Sequence, residues 1–158
     1  MKLLDIVVKK AIIPALTATD RDAAIAEIID AIVAAGTLSP KLRDEFVKAV
    51  IKRENRGSTG FGHGVAVPHV KHAAITKMAV AVAVSQTGVN FNALDKQPVF
   101  AILLLLSPED QPEEHLDAME AIFGNLSQDT FRRFLRQAKS IDDVMALLEE
   151  ADAKTAVR

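Results

Sequence analysis

The run Val99-Phe100-Ala101-Ile102-Leu103-Leu104-Leu105-Leu106 carries eight apolar residues with no polar interruption. A strand with one wet face alternates apolar and polar side chains, so a run of strand length without alternation predicts a strand covered on both faces. Met78-Ala79-Val80-Ala81-Val82-Ala83-Val84 reads the same way, and its valines favour extended backbone. Both runs fall far short of the roughly 20 apolar residues needed to cross a bilayer. They are core strands, and no membrane insertion is expected. Between them, residues 88–95 are read as a shorter hairpin strand.

A sheet buried on both sides needs helices above and below it. Upstream, Ala24, Ile25, Ile28, Ile29, Ile32 and Val33 recur at helical spacing behind Thr19, a candidate N-cap with Asp22 three residues on, and the pattern stops at Gly36. Ser39-Pro40 opens a second helix with Leu42, Phe46, Val47, Val50 and Ile51 as its buried stripe, running to about Asn55. Downstream, helices are expected at about 112–126, 127–138 and 140–151, the last opened by Ser140-Ile141-Asp142-Asp143 as a capping box. The resulting fold class is α/β: a three-layer α/β/α single domain with a mixed β-sheet flanked by helices. It is expected to span 1–158, with its core at about 3–150 and a fraying tail at 151–158.

Composition removes several functions. The 158 residues, 49% apolar and 25% charged, suffice for the core of one domain. Nineteen Lys plus Arg stand against 21 Asp plus Glu, a net charge of −2, which lacks the basic footprint of a nucleic-acid binder. Cysteine is absent, which excludes disulfides, thiolate metal sites and a cysteine nucleophile, and is compatible with a cytoplasmic location. With no Trp or Tyr, an aromatic sugar cleft and a base-stacking platform are both disfavoured. The first ten residues interrupt their apolar character with Asp5, Lys9 and Lys10, unlike a signal peptide.

The side chains that titrate near neutral pH without help are His63, His69, His72 and His115. Gly57-Ser58-Thr59-Gly60-Phe61-Gly62-His63-Gly64 cannot continue a helix, and it feeds Val65-Ala66-Val67-Pro68-His69. His69 thus sits at a strand end near a loop whose amides can form an anion nest; the alternative is a plain turn residue. His115 stands in the first turn of the helix after the buried strand, where anions bind in open α/β folds; the alternative is a core histidine satisfied locally. Arg53 and Arg56 offer guanidinium forks to phosphoryl oxygens or simply suit a helix C-terminus. Ser58 and Thr59 are hydroxyl donors or turn-formers. His69-Val70-Lys71-His72 has an H-x-x-H spacing, but Pro68 disfavours the helix it needs and no carboxylate is close, so no metal is expected. The glycines do not match a dinucleotide fingerprint, and no P-loop is present.

The stretch Arg53-Glu54-Asn55-Arg56-Gly57-Ser58-Thr59-Gly60-Phe61-Gly62-His63-Gly64-Val65-Ala66-Val67-Pro68-His69 closely resembles the signature of the IIA domains of the bacterial phosphotransferase system, fructose/mannitol class, and within it the nitrogen-regulatory branch. The likeness extends over most of the chain, from an amino-terminal pair of helices to a Glu-His pair opening the helix after the buried strand. It implies that His69 is phosphorylated, that His115 stabilises it or the phosphoryl group, and that Arg53 lies at the site; from their position in the loop, Ser58, Thr59, Gly60 and Arg56 are the candidate phosphate-binding residues. It implies no metal or other cofactor, a histidine phosphocarrier (HPr-like or NPr-like) as donor, and a IIB domain or regulatory target proteins downstream. Phe61, Val65 and Val70 are the expected apolar rim of the docking face. Val70 departs from the glycine or small residue common after the active histidine, and His63 and His72 are read as solvated loop residues.

Overall fold

The computed structural model describes residues 1–157. In chain order it contains α1 (Leu3–Ile6), β1 (Val7–Ile13), α2 (Arg21–Ala34), a 3-10 turn (Pro40–Leu42), α3 (Arg43–Asn55), β2 (Val65–Ala66), β3 (His69–His72), β4 (Ala79–Val89), β5 (Val99–Pro108), α4 (Pro112–Leu126), α5 (Asp129–Gln137) and α6 (Ile141–Val157). The five strands form one mixed sheet in the order β1-β4-β5-β2, with β3 also against β5. β4 and β5 are antiparallel, and the remaining pairings are parallel.

The two apolar runs are the central strands, and their side chains alternate between two cores. Ala79, Ala81 and Ala83 of β4 join Ile102, Leu104 and Leu106 of β5 beneath Ile25, Ile28, Ile29 and Ile32 of α2 and Phe46 and Val50 of α3. Val80, Val82 and Val84 join Ala101, Leu103 and Leu105 beneath α1, α4, α5 and α6. The mixed three-layer α/β/α fold is therefore present, and it explains why neither run shows polar alternation. Small residues of β4 lie beside large ones of β5 on the α2 side, which fills the space under the isoleucines of α2.

Local chemistry moves several element ends. α2 is capped by Asp20 rather than Thr19: Asp20 Oδ1 accepts from the Ala23 amide at 2.9 Å, while the Thr19 carbonyl accepts from the Asn90 amide at 2.8 Å. The predicted second helix is split, because Ser39 and Pro40 start a tight 3-10 turn before α3 begins. Residues 88–95 do not make a separate strand. β4 continues to Val89, and Gly88, at φ +96°, lies where an added Cβ would come within 3.0 Å of Pro98 and 3.2 Å of Phe100. Nothing in the apolar pattern announced β1, whose Lys9 and Lys10 are exposed on a sheet edge.

The tail also differs over its first residues. Ala151 and Asp152 are buried within α6, and Asp152 accepts from the amides of Leu3 at 2.8 Å and Leu4 at 3.0 Å. These amides open α1 and have no partner within a helix, so the carboxylate ties the two ends of the chain together. Arg158 lies outside the described residues. Among the described residues no helix is long and apolar enough to cross a membrane.

Candidate functional site

Residues 65–72 run beside β5 as one edge strand interrupted at Pro68. The register is unchanged across the break: Val65 and Ala66 lie opposite Ala101 and Ile102, and His69 and Val70 opposite Leu105 and Leu106. Proline has no amide hydrogen, so it is tolerated at an edge, and its carbonyl still accepts from the Leu105 amide at 3.0 Å. His69 is thereby fixed to the central strand at the point where the ladder resumes.

The His69 ring is partly buried, and its Nδ1 lies 3.0 Å from the Val67 carbonyl oxygen. A carbonyl can only accept, so Nδ1 carries the hydrogen and Nε2 keeps its lone pair. His115, buried in the first turn of α4, faces it with ring centroids 5.6 Å apart and planes tilted by 55°. The Nδ1 of His115 lies 2.6 Å from Oγ of Ser107, at the end of β5. The two histidines predicted from separate parts of the chain are thus brought together by β3 and by the helix that follows β5.

Around His69 opens a groove lined by Ala49, Lys52, Arg53, Arg56, Val70 and Lys71. Four cations and no carboxylate line it, a local positive field in a chain of net charge −2. Arg53 is held by a bond from Nη1 to the Gly57 carbonyl at 2.9 Å, while Arg56 is exposed. Burial first, and then the charge of Arg53, push the His69 pKa below its ordinary value, against the bond to Val67, which raises it. Burial, Lys71 and His69 likewise lower that of His115. Both rings therefore stay neutral, and His69 stays nucleophilic, to lower pH than a free imidazole. The NMR titration midpoint of His69 is expected below 6.5, the ordinary histidine value. Arg53→Gln should move the midpoint up, and an unmoved or lower midpoint would contradict the electrostatic account.

The glycine-rich loop contributes differently from a simple amide nest. Its Thr59 amide is held by both oxygens of Glu54, at 3.1 and 3.2 Å, and its Gly60 amide by Ser58 Oγ at 3.0 Å. Glu54 is buried at the end of α3, so α3 positions the loop directly. Gly60 packs so closely that a Cβ there would come within 2.8 Å of the Ala93 side chain. Thr59 Oγ1 is buried with no hydrogen-bond partner among the described residues. Neither Ser58, Thr59 nor Gly60 lines the groove beside His69.

Of the expected docking rim, Val70 borders the groove and Phe61 is half-buried against Phe123, with centroids 5.0 Å apart. Val65 is not on that rim: at 2% exposure it belongs to the core, because it is an inward position of the edge strand. Leu116, beside His115, is 61% exposed and was not anticipated. His72 is engaged with Glu45 and packed at a tilt against Phe46, and exposed His63 lies in a separate groove with Arg132, Arg133 and Arg136. Neither joins the pair. Glu54 and Ser107 are the participants that the spacing did not single out.

Residues 5–151 match the family model described as phosphoenolpyruvate-dependent sugar phosphotransferase system, EIIA 2. The chain is 39% identical over 105 residues to the nitrogen regulatory protein of Klebsiella oxytoca, covering 66% of this chain and 65% of that protein. It is 28% identical to the PTS system fructose-specific EIIABC component of Bacillus subtilis (strain 168), covering 96% of this chain and 24% of that protein, so it spans about a quarter of that relative. The crystal structure of nitrogen regulatory protein IIA-Ntr from Neisseria meningitidis superposes with a TM-score of 0.82 at 30% identity, covering 91% of this chain and 97% of that one.

Proposed function

The chain belongs to the EIIA 2 family of the phosphoenolpyruvate-dependent sugar phosphotransferase system, and from that membership we propose that it carries a phosphoryl group on Nε2 of His69. Proteins of this family act in phosphoryl transfer; the proposal is the residue, the direction and the partners. The observation that carries it is the neutral His69 ring with Nδ1 tied to Val67, its Nε2 lone pair free, and a second imidazole 5.6 Å away.

In the proposed step, Nε2 of His69 attacks phosphorus in line as the bond between phosphorus and the donor's imidazole nitrogen breaks. The electron pair of the broken bond returns to the donor, a histidine phosphocarrier of the HPr or NPr kind. Arg53 and Arg56 then face the new negative charge, while Ser58, Thr59 and Gly60 shape the loop that holds Arg53 in place. No cofactor takes part, and the partners meet the chain in the cytoplasm through the face bearing Val70, Phe61 and Leu116. Transfer onward is the same step in reverse, with a different acceptor.

The preferred role is that of a nitrogen-type regulatory IIA, whose phosphorylation state decides which target protein it binds. The likeness to IIA-Ntr over nearly the whole of both chains supports it. The alternative is a transport IIA that hands the phosphoryl group to a IIB domain, favoured by the fructose-specific relative. Incubation with phosphoenolpyruvate, the general phosphotransferase enzyme and the carrier, with and without IIB domains, separates them. Rapid transfer to a IIB supports transport; stable phosphoprotein in its presence supports regulation.

Arg53→Lys is expected to slow phosphorylation by roughly tenfold, through loss of the planar fork and its bond to Gly57, and Arg56→Lys by less than about threefold. Stopped-flow or quenched-flow labelling measures both, and equal rates for the two variants would refute the assignment.

A further inference from the structure

In β5 the residues from 101 to 106 are aliphatic and buried, and the next position is a serine with no exposure at all. Residues 101, 103, 105 and 107 share the strand face that packs toward α4. Ser107 therefore interrupts an apolar row at the place where that row reaches His115. A buried hydroxyl is unfavourable unless it is hydrogen-bonded, and its partner is Nδ1 of His115 at 2.6 Å. No other side-chain or main-chain partner reaches Ser107 Oγ among the described residues.

Two proton arrangements fit that distance. If Nδ1–H of His115 donated to Oγ, the hydroxyl hydrogen would be buried with no acceptor. If the hydroxyl donates to a bare Nδ1, one bond satisfies both atoms. The second arrangement leaves His115 neutral with its hydrogen on Nε2. We infer that Ser107 is a positioning residue: its hydroxyl holds His115 in the tautomer whose Nε2–H donates to phosphoryl oxygens on His69.

The distinction matters chemically. A neutral imidazole can present either a lone pair or an N–H, and only the N–H stabilises an anion. Burial and the charge of Lys71 oppose a second proton on His115, so the donor has to come from the choice of tautomer. Ser107 lies opposite Lys71 in the ladder, two positions beyond the Leu105 that faces His69. The same pair of strands thus sets the nucleophile and orients its helper. This role rests on the phosphoryl-carrier reading above.

Long-range 1H–15N correlation spectra of histidine-labelled, unphosphorylated protein test it. The wild type should show His115 as the Nε2–H tautomer, with Nδ1 at the shift of a hydrogen-bonded acceptor. In Ser107→Ala that nitrogen should move to the shift of an unbonded one, and Ser107→Cys, a weaker donor, should lie between. Phosphoryl transfer from the Ser107→Ala protein to an acceptor should slow about fivefold, the worth of one neutral hydrogen bond. An Nδ1–H tautomer in the wild type would overturn the inference, even if Ser107→Ala did not fold. So would a folded Ser107→Ala with unchanged nitrogen shifts and transfer rate. Because the spectra need no phosphate, their failure is distinguishable from a failure of His69 to be labelled.

Discussion

His69→Ala is expected to carry no acid-labile, base-stable phosphate after incubation with phosphoenolpyruvate, the general phosphotransferase enzyme and the histidine carrier. The rate should fall by more than about a thousandfold, as for removal of a covalent nucleophile. The other histidines are poor substitutes for separate reasons. His72 is held by Glu45 and by the Ala74 amide, and His63 lies in a groove on another part of the surface. His115 is close enough to be the natural rescuer, but it is buried and its Nδ1 is bonded to Ser107. His115→Ala should therefore leave some labelling at His69 while slowing onward transfer, since on the proposed mechanism the nucleophile remains and only the ring that stabilises the phosphoryl group is lost. Wild-type labelling of His69→Ala would mean that the pair has been read the wrong way round or that phosphate goes elsewhere.

Asp152→Ala is expected to destabilise the fold by about 3 kcal/mol, because two amides at the start of α1 lose a charged acceptor in a buried setting. For a chain of this size that corresponds to a fall in melting temperature of roughly 6–12 °C. Asp152→Asn retains one oxygen acceptor and should lose about half as much. Thermal unfolding followed by circular dichroism reads both. A change within about 1 °C for the alanine variant would show that the link between the chain ends contributes nothing. The effect should appear in stability with little change in labelling, since α1 and α6 close a core that includes none of the residues lining the His69 groove.

These two sites were unequally legible in the sequence. Runs 78–84 and 99–106 revealed the central strands because burial on both faces removes alternation, and the isoleucine spacing revealed α2. β1 escaped because an edge strand mixes exposed lysines with two buried residues, Ala11 and Ile12, a pattern too short to distinguish from irregular chain. Asp152 escaped because a single carboxylate in a helix says nothing about amides 149 and 148 positions away. His69 was a candidate through its proline and glycines and His115 through its place after a buried strand, each with a plain structural alternative, and only the likeness of 53–69 to the family's signature joined them into one site. Ser107 left one trace, a hydroxyl where an apolar row should continue. Glu54 left none, since its burial arises from the way the loop folds back over the end of α3.

The broken edge strand has a bearing on how the protein behaves when crowded. Unpaired backbone on the rim of a sheet can recruit a strand from a neighbouring molecule and seed aggregates. Here one rim is interrupted by Pro68, which offers no hydrogen to an incoming chain, and the other carries Lys9 and Lys10, whose charges repel a second copy of themselves. Both borders are thus guarded against fibril-like stacking, which leaves side chains rather than backbone to make contact with other molecules.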